Sequence, residues 1–153
     1  MSWAATGPTS PLMSEVILDT GIVIRYLRGD RRAAQLLDSL EAQSLMSVSV
    51  VTVLEILVGC RDDDERDAAH ELLARLNPVV IGLAVAEKAA PLIQRYPHVF
   101  GRQISRGTAD ALIAATAWNL DATLYTLNTR QFARFPLPEL RIHPIDQNTR
   151  TWA

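Results

Sequence analysis

Val16-Ile17-Leu18-Asp19-Thr20 is the stretch whose reading decides the fold. Three consecutive apolar residues leave no face for water. As a strand they need cover on both sides, which is the condition of a parallel sheet between helices. From Thr20 the spacing becomes helical: Ile22, Val23, Tyr26 and Leu27 share one side, and Gly29 offers the stop. Outward from this unit the alternation continues. Helices are predicted over Arg32 to Ala42, Ser49 or Val50 to Cys60, Asp62 to Leu76 and Val85 to Tyr96. Thr108 is a plausible N-cap for a helix running to Leu120. Strands are predicted over Leu45 to Val48, Val79 to Ile81, Thr123 to Leu127 and Arg141 to Ile145. The class is α/β, with a central parallel sheet of 4-5 strands between helical layers.

The chain has 153 residues, 48% of them apolar and 21% charged, which fits one globular domain with a sizeable core. We place a flexible leader at 1–13, the domain at 14–146 and a C-terminal tail at 147–153. The leader lacks the basic start and long apolar stretch of a signal peptide. No run reaches the ~20 apolar residues of a membrane span. Cys60 is the only cysteine, so an internal disulfide and a cysteine metal site are excluded, and a cytoplasmic location is expected. The net charge of −2 does not announce a nucleic-acid binder. Lys88 is the only lysine; the arginines are scattered, and their excess reads as compositional bias.

Four polar residues stand at the ends of apolar elements or inside them: Asp19, Glu55, Asp110 and Asn128. Asp19 and Asn128 close strands. In parallel α/β sheets ligands gather beyond the carboxyl ends of the strands. An acid in or beside a core segment is costly unless compensated, and no lysine lies in these segments. A hard divalent cation would compensate it, and oxygen ligands select Mg²⁺ or Mn²⁺. Each residue also has a plainer reading. Asp19 serves as a helix N-cap, Asp110 as a first-turn acid on a helix dipole, Asn128 as a turn residue, and Glu55 as half of a buried ion pair. The acidic run Asp62-Asp63-Asp64-Glu65 reads as a solvated helix start. His70, His98 and His143 lie outside the constellation, so histidine acid–base chemistry is not indicated.

Ile17-Leu18-Asp19-Thr20, then Ser47-Val48-Ser49 leading into Val53-Leu54-Glu55-Ile56-Leu57, then Ala109 to Ala117, then Thr123 to Asn128 and Phe132, resemble in order and separation the PIN-domain ribonucleases. Within them the chain is similar to the VapC-type toxins of bacterial toxin–antitoxin pairs, from Glu15 to about Ile145. The resemblance implies a three-layer α/β/α sandwich and cleavage of RNA with Mg²⁺ or Mn²⁺ in an acidic pocket. It carries the metal-binding role to Asp19, Glu55 and Asp110, with Asn128 as a fourth catalytic position. Many relatives have Asp where this chain has Asn128, which puts a second ion in doubt. Thr126, Arg102, Arg106 and Arg130 are candidates for contacts to RNA. The resemblance further implies a VapB-type antitoxin, a homodimer, and DNA binding only through the antitoxin. The alternative is a PIN-like module that binds RNA or protein without cutting.

Overall fold

The computed structural model describes residues 13–100, 104–133 and 138–152, the side chains of 98, 104–106 and 132–133 excepted. Its centre is a five-stranded sheet of β1 (Ser14–Leu18), β2 (Ser44–Ser49), β3 (Asn77–Val79), β4 (Thr123–Thr126) and β5 (Arg141–Pro144). The order is β3-β2-β1-β4-β5, and every neighbouring pair runs parallel. The helices are α1 (Thr20–Leu27), α2 (Arg31–Glu41), α3 (Val50–Gly59), α4 (Asp63–Leu73), α5 (Leu83–Arg95), α6 (Pro97–Phe100), α7 (Ile104–Asn119) and α8 (Thr129–Ala133).

The sheet separates two apolar layers, and β1 feeds both. Val16 and Leu18 point into a core shared with Ile22, Val23, Leu36, Leu37 and Leu72 of α1, α2 and α4. Ile17 points the other way, into a core shared with Leu92, Phe100, Ile113 and Ala114 of α5 to α7. Ile17 and Leu18 are fully buried, as a strand with no solvent face must be. Burying each such side chain contributes about 2 kcal/mol. Helix α1 then ends in a Schellman turn: Gly29, at φ +82°, donates to the Tyr26 carbonyl, and Asp30 donates to that of Arg25, both at 3.0 Å. A side chain at Gly29 would hold this left-handed turn only under strain.

From β1 the chain proceeds to β2 and β3 on one side, then returns to β4 and β5 on the other. The reversal opens a crevice at the carboxyl ends of β1 and β4, where α/β sheets bind ligands. Leu18 pairs with Tyr125 there, and Asp19 donates its backbone N–H to the Tyr125 carbonyl at 2.9 Å.

Some predicted boundaries shift. The third strand lies at Asn77–Val79, not Val79 to Ile81. It is an edge strand, so Pro78 is tolerated in it, and the apolar residues beyond it need no burial: Val80 is 76% exposed. Helix α4 stops at Leu73, because Arg75 and Leu76 bond to carbonyls only three residues back. Thr108 is not a cap; α7 begins at Ile104, and Thr108 sits inside it. The short helices α6 and α8 are too brief to show a period. Of the leader at 1–13, residues 1–12 lie outside the described residues and Met13 is exposed. At the other end, Trp152 is buried against the first core, its ring under the Arg32 guanidinium at 4.6 Å. Of the segment set apart as a tail, 147–151 are exposed and Trp152 is buried. No described helix is long and apolar enough to cross a membrane.

Candidate active site

Asp19 follows β1 and caps α1, so strand and helix together aim its carboxylate into the crevice. Its Oδ1 accepts from the Thr20 backbone N–H at 2.8 Å, and its Oδ2 accepts from the Thr126 hydroxyl at 2.7 Å. Burial raises its pKa, and the bonds from Thr126 and Thr20 pull it back down. The N-cap reading of Asp19 therefore holds on Oδ1, while Oδ2 is held by Thr126 at the cavity.

Thr20, the first residue of α1, ties the second acid in. Its hydroxyl donates to Glu55 Oε1 at 3.0 Å and lies 2.9 Å from the Thr52 hydroxyl. Thr52 and Ile56 face the core from α3, whereas Glu55 is exposed on the helix face that looks into the crevice. The ion-pair reading of Glu55 is thereby corrected: the acid is not buried and has no arginine partner among the described residues.

Asp110 comes from the opposite layer, on α7. It stands well inside the helix rather than at its start, so the dipole reading does not apply. Burial raises its pKa most, followed by the charge of Asp19; a bond from Gln131 opposes, and the charge of Glu55 adds to the rise. Asp110 thus feels the charges of both other acids across the crevice.

Asp19, Glu55, Asp110 and Asn128 line one cavity of about 780 Å³. Asn128 does not aim at the acids. It starts α8, its side-chain amide bonds to Gln131, and its backbone N–H donates to the Thr126 hydroxyl at 3.0 Å. The turn reading fits its side chain. Thr126 is fully buried and connects that turn to Asp19. Arg130 is exposed at the rim. Arg102 and the side chain of Arg106 lie outside the described residues. The run Asp62 to Glu65 is a helix start, as expected: Asp62 accepts from the Glu65 N–H at 2.8 Å.

Sequence reasoning missed Arg25, Arg28, Gln131 and Gln147. Arg25 lines the cavity from α1 and Arg28 from its C-cap, and Gln147 joins from the segment after β5. A signal existed for the arginines, because Gly21, Arg25 and Arg28 recur on the helix face that starts at Asp19. None existed for Gln147, which is distant in sequence.

Hard carboxylate oxygens that form no ion pair among the described residues fit a divalent metal ion in their chemistry. They do not form a closed cage: among the described residues no three acidic, His or Cys side chains are grouped as a chelate. An open arrangement suits Mg²⁺, which keeps several of its waters.

A family model described as the PIN domain matches residues 16–137. The chain is 32% identical over 120 residues to Ribonuclease VapC10 of Mycobacterium tuberculosis, covering 78% of this chain and 87% of the relative. It is 33% identical over 123 residues to Ribonuclease VapC19 of the same organism, covering 78% and 94%. A toxin–antitoxin complex from Klebsiella pneumoniae contains a chain of similar fold, with TM-score 0.66 and 29% identity, covering 82% of this chain and 95% of that one. The match reaches β1 to β4, helices of both layers and Asp19, Glu55 and Asp110, and the chain therefore belongs to the PIN-domain family, in its VapC branch.

Proposed function

We propose that the protein is a metal-dependent endoribonuclease, the toxin of a toxin–antitoxin pair. The observation that carries this is the meeting of Asp19, Glu55 and Asp110, from three elements in two layers, in one open cavity at the reversal of the sheet. Support comes from its relatives, which are ribonucleases by name.

Asp19, Asp110 and Glu55 would hold Mg²⁺ or Mn²⁺. When bound, such an ion lowers the pKa of a coordinated water and offsets charge on a scissile phosphate. The rest falls to the chain itself. Thr126 and the Thr20 N–H hold the two oxygens of Asp19 in fixed directions. Thr20 holds Glu55, leaving one carboxylate oxygen free to orient a water. Gln131, bonded to Asn128 and 3.4 Å from Asp110, sets the wall behind Asp110. Asn128 acts by positioning Gln131.

The second reading, a PIN-like module that binds without cutting, is favoured by one observation: the amide of Asn128 is engaged by Gln131 and adds no charge to the acids. The partner in our reading is an antitoxin, as in the Klebsiella pneumoniae complex. A neighbouring cavity of about 460 Å³, lined by Ile24, Leu27, Ile56 and Cys60, shares Arg28 and Glu55 with the acidic crevice and would seat its apolar segment.

The test is incubation of purified protein with structured and single-stranded RNA in Mg²⁺, in Mn²⁺ and in chelator. Cleavage in either metal, lost in chelator and in Asp19→Asn, is expected. Intact RNA in all metal conditions, with binding retained, would select the second reading.

A further inference from the structure

The acidic crevice has a cationic wall that is braced by a part of the chain the family match, ending at residue 137, does not reach. Arg25 on α1 and Arg28 at its C-cap line the same cavity as the three acids. Arg25 donates to Gln147 Oε1 at 3.0 Å, and Gln147 Nε2 in turn donates to the Leu127 carbonyl at 3.3 Å. Gln147 is thus fixed at the end of β4 and fixes Arg25. Its segment is itself anchored: Arg32 donates to the carbonyls of Gln147 and Thr149, the latter at 3.1 Å, and Trp152 is buried beneath the same guanidinium.

A neutral amide as partner leaves the charge of Arg25 uncancelled. Asp30, whose carboxylate feels that charge, is already paired with Arg32 at 2.7 Å. Arg28 is exposed and has no ion pair or hydrogen bond from its side chain among the described residues. Two guanidinium groups one helical turn apart, facing acids across a cavity, suit an oligoanion that approaches the acids with one phosphate and runs on past them. Arg matches phosphate oxygens with paired N–H groups.

We propose that Arg25 and Arg28 bind the RNA phosphates flanking the scissile one, and that Gln147 is the positioning residue that holds Arg25 in this wall. The proposal rests on the ribonuclease reading above and adds to it a substrate track and a role for the C-terminal segment.

The experiment compares the wild type with Arg25→Ala, Arg25→Lys, Arg28→Ala and Gln147→Glu. Melting curves establish that each variant folds. The first readout is steady-state cleavage of a short fluorescein-labelled single-stranded RNA in Mg²⁺. The second is anisotropy of that RNA, at several salt concentrations, with the same substitutions in an Asp110→Asn background. Arg25→Ala should raise KM and weaken binding about tenfold, with kcat changed far less. Arg28→Ala, at an exposed site, should weaken binding roughly threefold. Each should flatten the salt dependence by about one phosphate contact, ~0.7 in the logarithmic slope. Gln147→Glu keeps an acceptor for Arg25 but cancels its charge, so it should flatten the slope as Arg25→Ala does. Arg25→Lys keeps the charge and should retain most of the slope. A residue that merely braced the fold would move the melting temperature and leave the slope alone.

If the wild type cuts RNA and the Arg25 and Arg28 variants keep its KM and slope, the wall does not bind RNA and the proposal is overturned while the ribonuclease reading stands. That holds even if those variants lose affinity for an acidic segment of the inhibitor. If the wild type neither cuts nor binds RNA, both fall together.

Discussion

The Thr126 hydroxyl donates to the Asp19 carboxylate at 2.7 Å across the seam between β4 and β1, and the Asn128 N–H donates back to the same hydroxyl at 3.0 Å. A fully buried threonine thus joins the end of β4 to the acid at the end of β1. Thr126→Val preserves shape and removes the donor. Burial then acts on Asp19 with one fewer opposing bond, so its pKa climbs further. We expect a loss of about 1–3 kcal/mol in stability at neutral pH. The acid limb of RNA cleavage should move to higher pH, read from a pH–rate profile of the folded variant. An unmoved limb would show that the hydroxyl does not tune Asp19.

Asp19 and Asp110 both have pKa values raised in the fold above the usual 3.8. A raised carboxyl binds more protons folded than unfolded, so each costs stability as pH rises through its folded pKa and none below 3.8, where both states are protonated. Asp30 has the opposite sign: its pKa is lowered to about 2 by the bond from Arg32, so its contribution is lost as pH falls. Comparing the wild type with Asp110→Asn in chelator cancels Asp30. The variant should melt at or above the wild type near neutrality, with the gap closing toward acid. Adding Mg²⁺ should reverse the order, since an ion stabilises only the protein that binds it, by ~2.7 kcal/mol at a hundredfold excess over Kd. A variant that melts well below the wild type in chelator would make Asp110 structural.

Gly107 lies one turn before Asp110 on α7, and a methyl group there would collide with the Phe100 carbonyl. Backbone meets backbone at this point, so the clash is relieved only by displacing the start of α7 from α6. Gly107→Ala should cost ~1–3 kcal/mol or more, as overpacking does. It should lower cleavage even at temperatures where the variant is fully folded, because Asp110 moves with the helix. Cleavage equal to the wild type in a folded Gly107→Ala protein would show that α7 tolerates the shift.

Trp152 is 3% exposed and lies beneath Arg32. Trp152→Ala should cost ~3–5 kcal/mol, the usual loss for a buried aromatic. Trp152→Phe, which keeps a ring face under the guanidinium, should cost much less. Urea titrations of the two variants measure this. Equal, small losses would place the segment after β5 outside the cooperative unit.

The strand–helix alternation was legible because it rests on local rules. Val16-Ile17-Leu18 has no polar face, Thr20 to Leu27 has one, and Gly29 stops the helix by its backbone freedom. Asp19 was legible for the same reason, as the residue where a buried strand meets solvent. Boundaries failed where local rules are weak. The edge strand β3 takes a proline and leaves Val80, just beyond it, in solvent. Helix α7 starts at Ile104, before the threonine read from the sequence as its cap.

The sequence by itself determined the class of fold, its central strand and the residue types of the site, because period, turn chemistry and the cost of burying charge act over a few neighbouring residues. Only the tertiary structure decided what those residues do together. Glu55 proved exposed because α3 turns that face to the crevice, and Asn128 serves Gln131 rather than the acids. Asp110 acquired its raised pKa from burial, with an acid on another layer adding to it, and Arg25 was set by a glutamine 122 residues away. Charge–charge coupling and side-chain positioning depend on distance in space, and the reversal of strand order that brings these groups together is a property of the assembled sheet alone.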